Sequence, residues 1–288
     1  MRVLVVGDLM VVVSGRVERM PRPGENVVLS EPSVHVSGVA ANIALNLRTL
    51  GIDVTVVSAV GIDPFGDAVV RELVDAGIDA SFVVRRRDAS TGAMVVMVGP
   101  DAERTMVGTR GAATHYRLVG SKDLLDEVQP DWLHVSGYTL MDDTMAKRCH
   151  ALALEARRRE LSCSLDLEGA TGKRLVRATV RFSNVDRYPR VLGRRRVEPS
   201  PGSTLIVKAG GEGCYVAQGG LVTHVPTRAV DAVDATGAGD AFDAAFIAAR
   251  LRGLDLETAC RWGNEAGART VAVAGPRAPL ASPAGPWS

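Results

Sequence analysis

The stretch AVDAVDATGAGDAFDAAFIAARLRG, residues 229 to 253, decides how the rest of the chain is read. Gly237, Ala238 and Gly239 follow a strand-like segment and precede a long helix of small residues predicted over 239 to 252. Their backbone N–H groups therefore lie at a helix start, where no carbonyl four residues back receives them. Unpaired donors and the positive end of the helix both favour an anion, and residues this small let one approach the backbone closely. Asp240 opens the helix within reach of the same space. A carboxylate there can take the proton of an attacking hydroxyl while the amides stabilise charge on a transferred phosphoryl group. The alternative is that Asp240 only caps the helix, since Asp is a preferred capping residue.

Working outward, short Val-rich apolar runs recur at 3 to 7, 54 to 61, 132 to 137, 162 to 167 and 204 to 210, separated by helix-like segments at 40 to 50, 67 to 76 and 142 to 160. Strands apolar at nearly every position suit a parallel sheet covered on both faces. The βαβα order predicts one doubly wound α/β domain over residues 1 to 288. Two stretches, 13 to 36 and 82 to 107, read as strands with little helix between and are expected to form a small β lid. Within the second, GAMVVMV (92 to 98) is apolar on both faces and predicts burial. RYPRVLGRRRVEPSPGS (187 to 203) reads as a solvated surface loop, and the tail after Gly275 as a segment with little chemistry.

The balance of 34 basic against 33 acidic residues gives a net charge of +1. No global basic field exists to gather nucleic acid or an anionic membrane, so neither partner is expected. No run reaches the ~18 apolar residues of a membrane span, and MRVLVVGDLMVVV reads as a buried first strand rather than a signal peptide because Gly7 and Asp8 interrupt it. A cytoplasmic enzyme is the expectation. Lys122, Lys147, Lys173 and Lys208 are the only lysines, so a catalytic amine has few candidates. Cys149, Cys163, Cys214 and Cys260 lack metal-ligand or CxxC spacing and read as buried thiols. No G-x-G-x-x-G follows the first strand, which argues against a dinucleotide-dependent oxidoreductase.

DATGAGDAF (234 to 242) closely resembles the carboxyl-terminal signature of the ribokinase-like (PfkB-type) carbohydrate kinases, D-T-x-G-A-G-D-x-F, departing only at Ala235. SGVAANIALNLRTLGIDVTVVSAVGIDPFG (37 to 66) looks like the other signature of that family, with Gly38 and Asn42 in place and Ser37 for the first Gly. The resemblance spans about residues 2 to 275. It implies a ribokinase-like α/β fold, a central mostly parallel sheet flanked by helices, with a small β lid that in several relatives also builds a homodimer. It implies ATP and Mg2+ as cofactors and a small-molecule alcohol as acceptor. Asp240 would be the base and Gly237, Ala238 and Gly239 the anion hole, with Asp234 and Thr236 helping to hold a monovalent cation such as K+. Acceptor contacts would come from Asp8, Met10, Val12, Gly38 and Asn42. Nucleotide contacts would come from Asn184, Arg187, Lys208, Gly210, Gly213 and Asn264.

Two departures stand out. The family's first strand usually reads G-D-x-N-x-D, and here Met10 and Val12 replace the Asn and the last Asp; positions 8, 10 and 12 are expected on one face of a strand, which leaves Asp8 the only acid there. A carboxylate hydrogen bond to a hydroxyl contributes about 1.5–3 kcal/mol, so this surface suits a less polar acceptor, such as a nucleoside or another hydroxymethyl compound. In RFSNVDRYP (181 to 189) Arg187 occupies the place of a magnesium-organising Glu, with Asp186 beside it. Together they leave open a second reading, a ligand-binding or regulatory protein with lost or weak catalysis.

Overall fold

A computed structural model describes residues 1–100, 104–170, 177–188, 202–273 and 275. The arginine run at 194 to 196 and the chain after Gly275 lie outside them.

The main sheet begins with β1 (Arg2–Val6), whose alternate side chains are all needed for burial. Val3 and Val5 pack into one core, Leu4 and Val6 into the other. The first core is closed by α1 (Val39–Thr49) and α2 (Pro64–Asp75), and by α5 (Ala238–Leu251) and α6 (Leu256–Val271). The second is closed by α3 (Ser121–Val128) and α4 (Asp143–Arg158). This two-sided cover explains why the strand sequences carry no polar alternation.

Around β1 the parallel strands are β4 (Asp53–Gly61), β5 (Val83–Arg86), β8 (Trp132–Val135), β9 (Ser162–Asp166), β10 (Val180–Asn184) and β11 (Thr204–Lys208). The antiparallel strands β12 (Cys214–Gln218) and β13 (Leu221–Val225) extend one edge. The order is β13-β12-β11-β10-β9-β8-β1-β4-β5. Functional residues in such a sheet belong at the carboxyl ends of the strands, and Asp166, Asn184 and Lys208 each end one.

The lid is a separate sheet of β2 (Met10–Arg16), β3 (Ser30–Ser37), β6 (Thr91–Val98) and β7 (Arg104–Gly111), in the order β3-β2-β6-β7. Two expectations change here. Val83–Arg86, inside the second predicted lid stretch, pairs in parallel with β4 at the edge of the main sheet. The crossover through α2 returns the chain there, and Val83 is buried in the first core. Asp8 does not share a strand face with Met10 and Val12, because β1 ends at Val6 and the chain passes between sheets before β2 begins. The GAMVVMV segment is β6, with Val96 buried and Val95 at the surface. All four cysteines are free and buried.

Candidate active site

The chain before α5 turns through Gly237, in the left-handed region at φ 73°, and the helix has no side-chain cap. Among the described residues the Gly239 and Asp240 amides donate to no backbone carbonyl, and the Ala238 amide makes a long contact of 3.4 Å to Ala235. The helix therefore opens on bare donors, the condition for holding an anion.

Asp240 stands in the first turn of α5, not at its cap. Its Oδ2 accepts a 2.7 Å hydrogen bond from Asn42 Nδ2, a residue 198 positions away on α1. Burial pushes the Asp240 carboxyl up to about 7, with Asp166 and Glu168 adding to the rise and the Asn42 hydrogen bond and the Lys208 charge opposing it. A carboxylate balanced near neutrality can both accept and release a proton in that range.

On the acceptor side Gly38 sits at φ 100°, and a Cβ there would lie 2.4 Å from the Asp8 carbonyl oxygen. Only glycine lets α1 start this close to the end of β1. Ser37 Oγ donates to Asn42 Oδ1 at 3.4 Å. Asp8, expected among the acceptor contacts, is engaged within the chain. Its two oxygens accept from Arg110 Nη2 and Nε at 2.6 and 2.7 Å, so an arginine of β7 already occupies it. Met10 and Val12 pack with Met94 and Val96 into a small apolar cluster under the lid.

At the far end of β7, Arg104 Nη1 donates to Thr236 Oγ1 at 2.7 Å and lies 3.7 Å from Asp234 Oδ1. Asp234 also accepts from the amides of Thr236 and Gly275, at 2.8 and 3.0 Å. Its charge is thus met within the chain, and these residues do not fit a monovalent cation held by the Asp234 carboxylate. A cavity of about 710 Å³ lies between lid and loop, bordered by Ser14, Arg16, His35, Arg104, Ala235 and Thr236.

A second cavity, of about 680 Å³, lies on the other side of the same loop and also touches Ala235. It is lined by Ala238, Gly239, Lys208, Asp166 and Glu168, and also by Val230, Phe242, Asn264 and Ala268. Asn184, Gly210 and Gly213 border it as well. Asn264 spends its amide nitrogen on the carbonyls of Val225 and Pro226, at 2.9 and 3.3 Å. Arg187 is a correction: Asp186 borders this cavity, whereas the Arg187 guanidinium donates to the Ala170 carbonyl and its amide to Asn184 Oδ1. The backbone turn after β10 points successive residues in different directions, which the linear motif does not reveal.

Several contributors were not singled out from the sequence. Asp166 read only as part of the strand at 162 to 167 and Arg104 as part of the lid stretch at 82 to 107, while Glu168 and Arg110 fell just outside these segments. Asp243 read as part of the small-residue helix, although its place three residues after Asp240 puts it on the same helical face.

Residues 1–174 and 196–283 match the pfkB family carbohydrate kinases. The chain belongs to that family. Its members include an ATP-dependent ribose-1-phosphate kinase of Halopiger xanaduensis, 32% identical over 96% of this chain and 94% of the relative. A nucleoside kinase of Methanothermobacter thermautotrophicus is 28% identical over 86% of this chain and 82% of its own length. The fold of this kinase matches that of the Arabidopsis thaliana ribokinase complexed with ribose and ATP, at a TM-score of 0.78, 21% identity, and coverage of 95% and 93% of the two chains. It is accordingly an ATP-dependent phosphotransferase of the sugar and nucleoside kinase class. Among its described residues no helix is long and apolar enough to cross a membrane.

Proposed function

We propose that this kinase phosphorylates a hydroxymethyl group on a sugar or nucleoside-like molecule, with Asp240 as the base. The observation that carries the reading is the placement of Asp240 beside bare helix-start amides, on a loop that borders one cavity for a nucleotide and another beneath the lid. The acceptor hydroxyl gives its proton to Asp240 as its oxygen attacks the γ-phosphorus. The bond to the departing ADP oxygen breaks, and the Ala238 and Gly239 amides receive the charge that develops. Gly38 and Asn42 border the acceptor, and closure of the lid excludes water that would hydrolyse ATP.

Magnesium fits the nucleotide cavity through Glu168 and Asp186, which both border it. Among the described residues no three acids, histidines or cysteines gather into a cage, which suits an ion that keeps water and phosphate oxygens as most of its ligands. Bound there with ATP, it would neutralise phosphate charge. The relative that acts on ribose 1-phosphate supports a sugar acceptor, and the apolar surface of Met10 and Val12 supports one with few hydroxyls facing the lid.

A homodimer through the lid belongs to the same reading. On the outer lid face Val34, Val13, Val95 and Val107 fall in register across all four strands, and Val34 and Val107 are more than half exposed. A second copy would cover that row.

Asp240→Asn keeps the side-chain shape and removes the base. Turnover should fall about 10²–10⁴-fold while calorimetry finds ligand binding nearly intact; undiminished turnover would contradict the assignment. A panel of sugars, sugar phosphates and nucleosides, assayed for ATP consumption, identifies the acceptor. Binding without turnover for every compound would favour the regulatory reading.

A further inference from the structure

We propose that Lys208, aimed by an ionised Asp166 and a proton-carrying Asp243, touches the phosphoryl group in transfer and is a second source of charge stabilisation beside the Gly239 amide. The inference rests on the kinase reading above and adds three residues to its chemistry.

Lys208 ends β11 with its ammonium enclosed. Nζ donates to Asp166 Oδ2 and to Asp243 Oδ1, each at 3.1 Å. The Phe182 ring lies beside it, 5.7 Å from Nζ to the ring centroid. An ammonium has three N–H groups, so among the described residues one is left without a partner. On the side toward Gly239 an added Cβ would stand 3.2 Å from Nζ. The missing side chain of Gly239 thus leaves a gap between a bare backbone amide and a buried cation, and both line the nucleotide cavity. A phosphoryl oxygen in that gap meets two donors at once.

Two almost fully buried carboxyl groups against one ammonium cannot both keep a charge cheaply. The contacts decide which one gives way. Asp166 accepts from Lys208 on one oxygen and from the Glu168 amide, at 2.8 Å, on the other. Asp243 is fully buried, and its Oδ2 meets no hydrogen-bond partner among the described residues, so an ionised Asp243 would leave charge unsolvated. Burial accordingly raises the Asp243 carboxyl well above the carboxylate range; at Asp166 burial also pushes upward, but the Lys208 charge, a hydrogen bond from Asp243 and the Glu168 amide together hold it low. Burial opposes the charge of Lys208, but the two acids keep it protonated. The unit is neutral overall: one anion, one cation, one acid. During transfer Lys208 keeps its three protons, the acceptor proton goes to Asp240, and only the bonds to phosphorus change.

Calorimetry of ADP and a non-hydrolysable ATP analogue gives a readout independent of turnover. The wild-type preference for the triphosphate should shrink about tenfold in Lys208→Met, with kcat lowered about 10²–10³-fold. Asp243→Ala should lower kcat, and Asp243→Asn should restore most of what Ala removes, because Asn supplies a neutral acceptor and donor; Asp166→Asn, which removes the one anion, should stay impaired. If Lys208→Met does not fold by thermal melting, Lys208→Met/Asp166→Asn balances the charge and reads the same ratio. The proposal is overturned if the ratio is unchanged, or if folded Asp243→Asn is as impaired as Asp243→Ala. Should the wild type turn over no acceptor, the kinase reading falls, while a ratio lost with Lys208 still upholds the phosphate contact.

Discussion

Among the described residues Asp240 receives one side-chain hydrogen bond, from Asn42, and that dependence sets a measurable pH response. The amide hydrogen bond favours the ionised form, so removing it lets the carboxyl hold its proton to higher pH. The base must be unprotonated to act. In the wild type kcat/KM should therefore rise through pH 7, following a carboxyl pushed up to about 7 by burial. In Asn42→Ala the rising limb should move to higher pH, leaving the variant slower at neutrality and partly recovered in alkali. A limb that moved down would disprove this role for Asn42. Gly38 offers a test of stability at the same scale. Gly38→Ala forces a side chain into positive φ and against the Asp8 carbonyl, so it should destabilise by about 1–3 kcal/mol or more, read as a lower midpoint in chemical denaturation.

At the scale of elements, the helices α1, α4 and α5 lie within one or two residues of their sequence expectations, because small-residue and apolar periodicity is a local property. The parallel strands β1, β4, β8, β9 and β11 were legible for the same reason, their burial on two faces leaving no polar alternation, whereas β5 was expected in the lid and β10 was not marked as a strand. The hairpin strands β12 and β13 and the partners of the lid arginines were not legible. The pairing of Arg110 with Asp8 joins residues 102 positions apart, and no motif records it. The candidate site divides likewise: Asp240, Gly38, Asn42 and Lys208 sit in stretches that carry the resemblance, whereas Asp166 and Asp243 meet Lys208 only in the tertiary fold. Arg110 gives the lid its own prediction. Arg110→Met leaves Asp8 buried without its partner, which costs about 3–5 kcal/mol in comparable buried pairs. Hydrogen exchange in β7 and the residues following β1 should rise together; a change confined to β7 would mean the pair does not join lid to body.

For the molecule as a whole, the outer valine row predicts assembly. Sedimentation of the wild type should give a dimer, and Val34→Lys/Val107→Lys should give a folded monomer, because two charges on a dry face oppose its burial while facing water harmlessly in one copy. A wild type that sediments as a monomer at every concentration removes the lid interface. Dimerisation would also bear on how the enzyme moves. Helix α5, which begins at the phosphoryl loop, is buried without measurable exposure at Ala241, Ala244, Ala245, Phe246, Ile247, Ala248 and Ala249. A side chain one turn from such a shaft cannot swing toward its substrate without dragging the interior with it. On the proposed reading the acceptor is therefore delivered to a stationary anvil, and the travelling part is the four-stranded flap whose strand β7 Arg104 and Arg110 tether at its two ends.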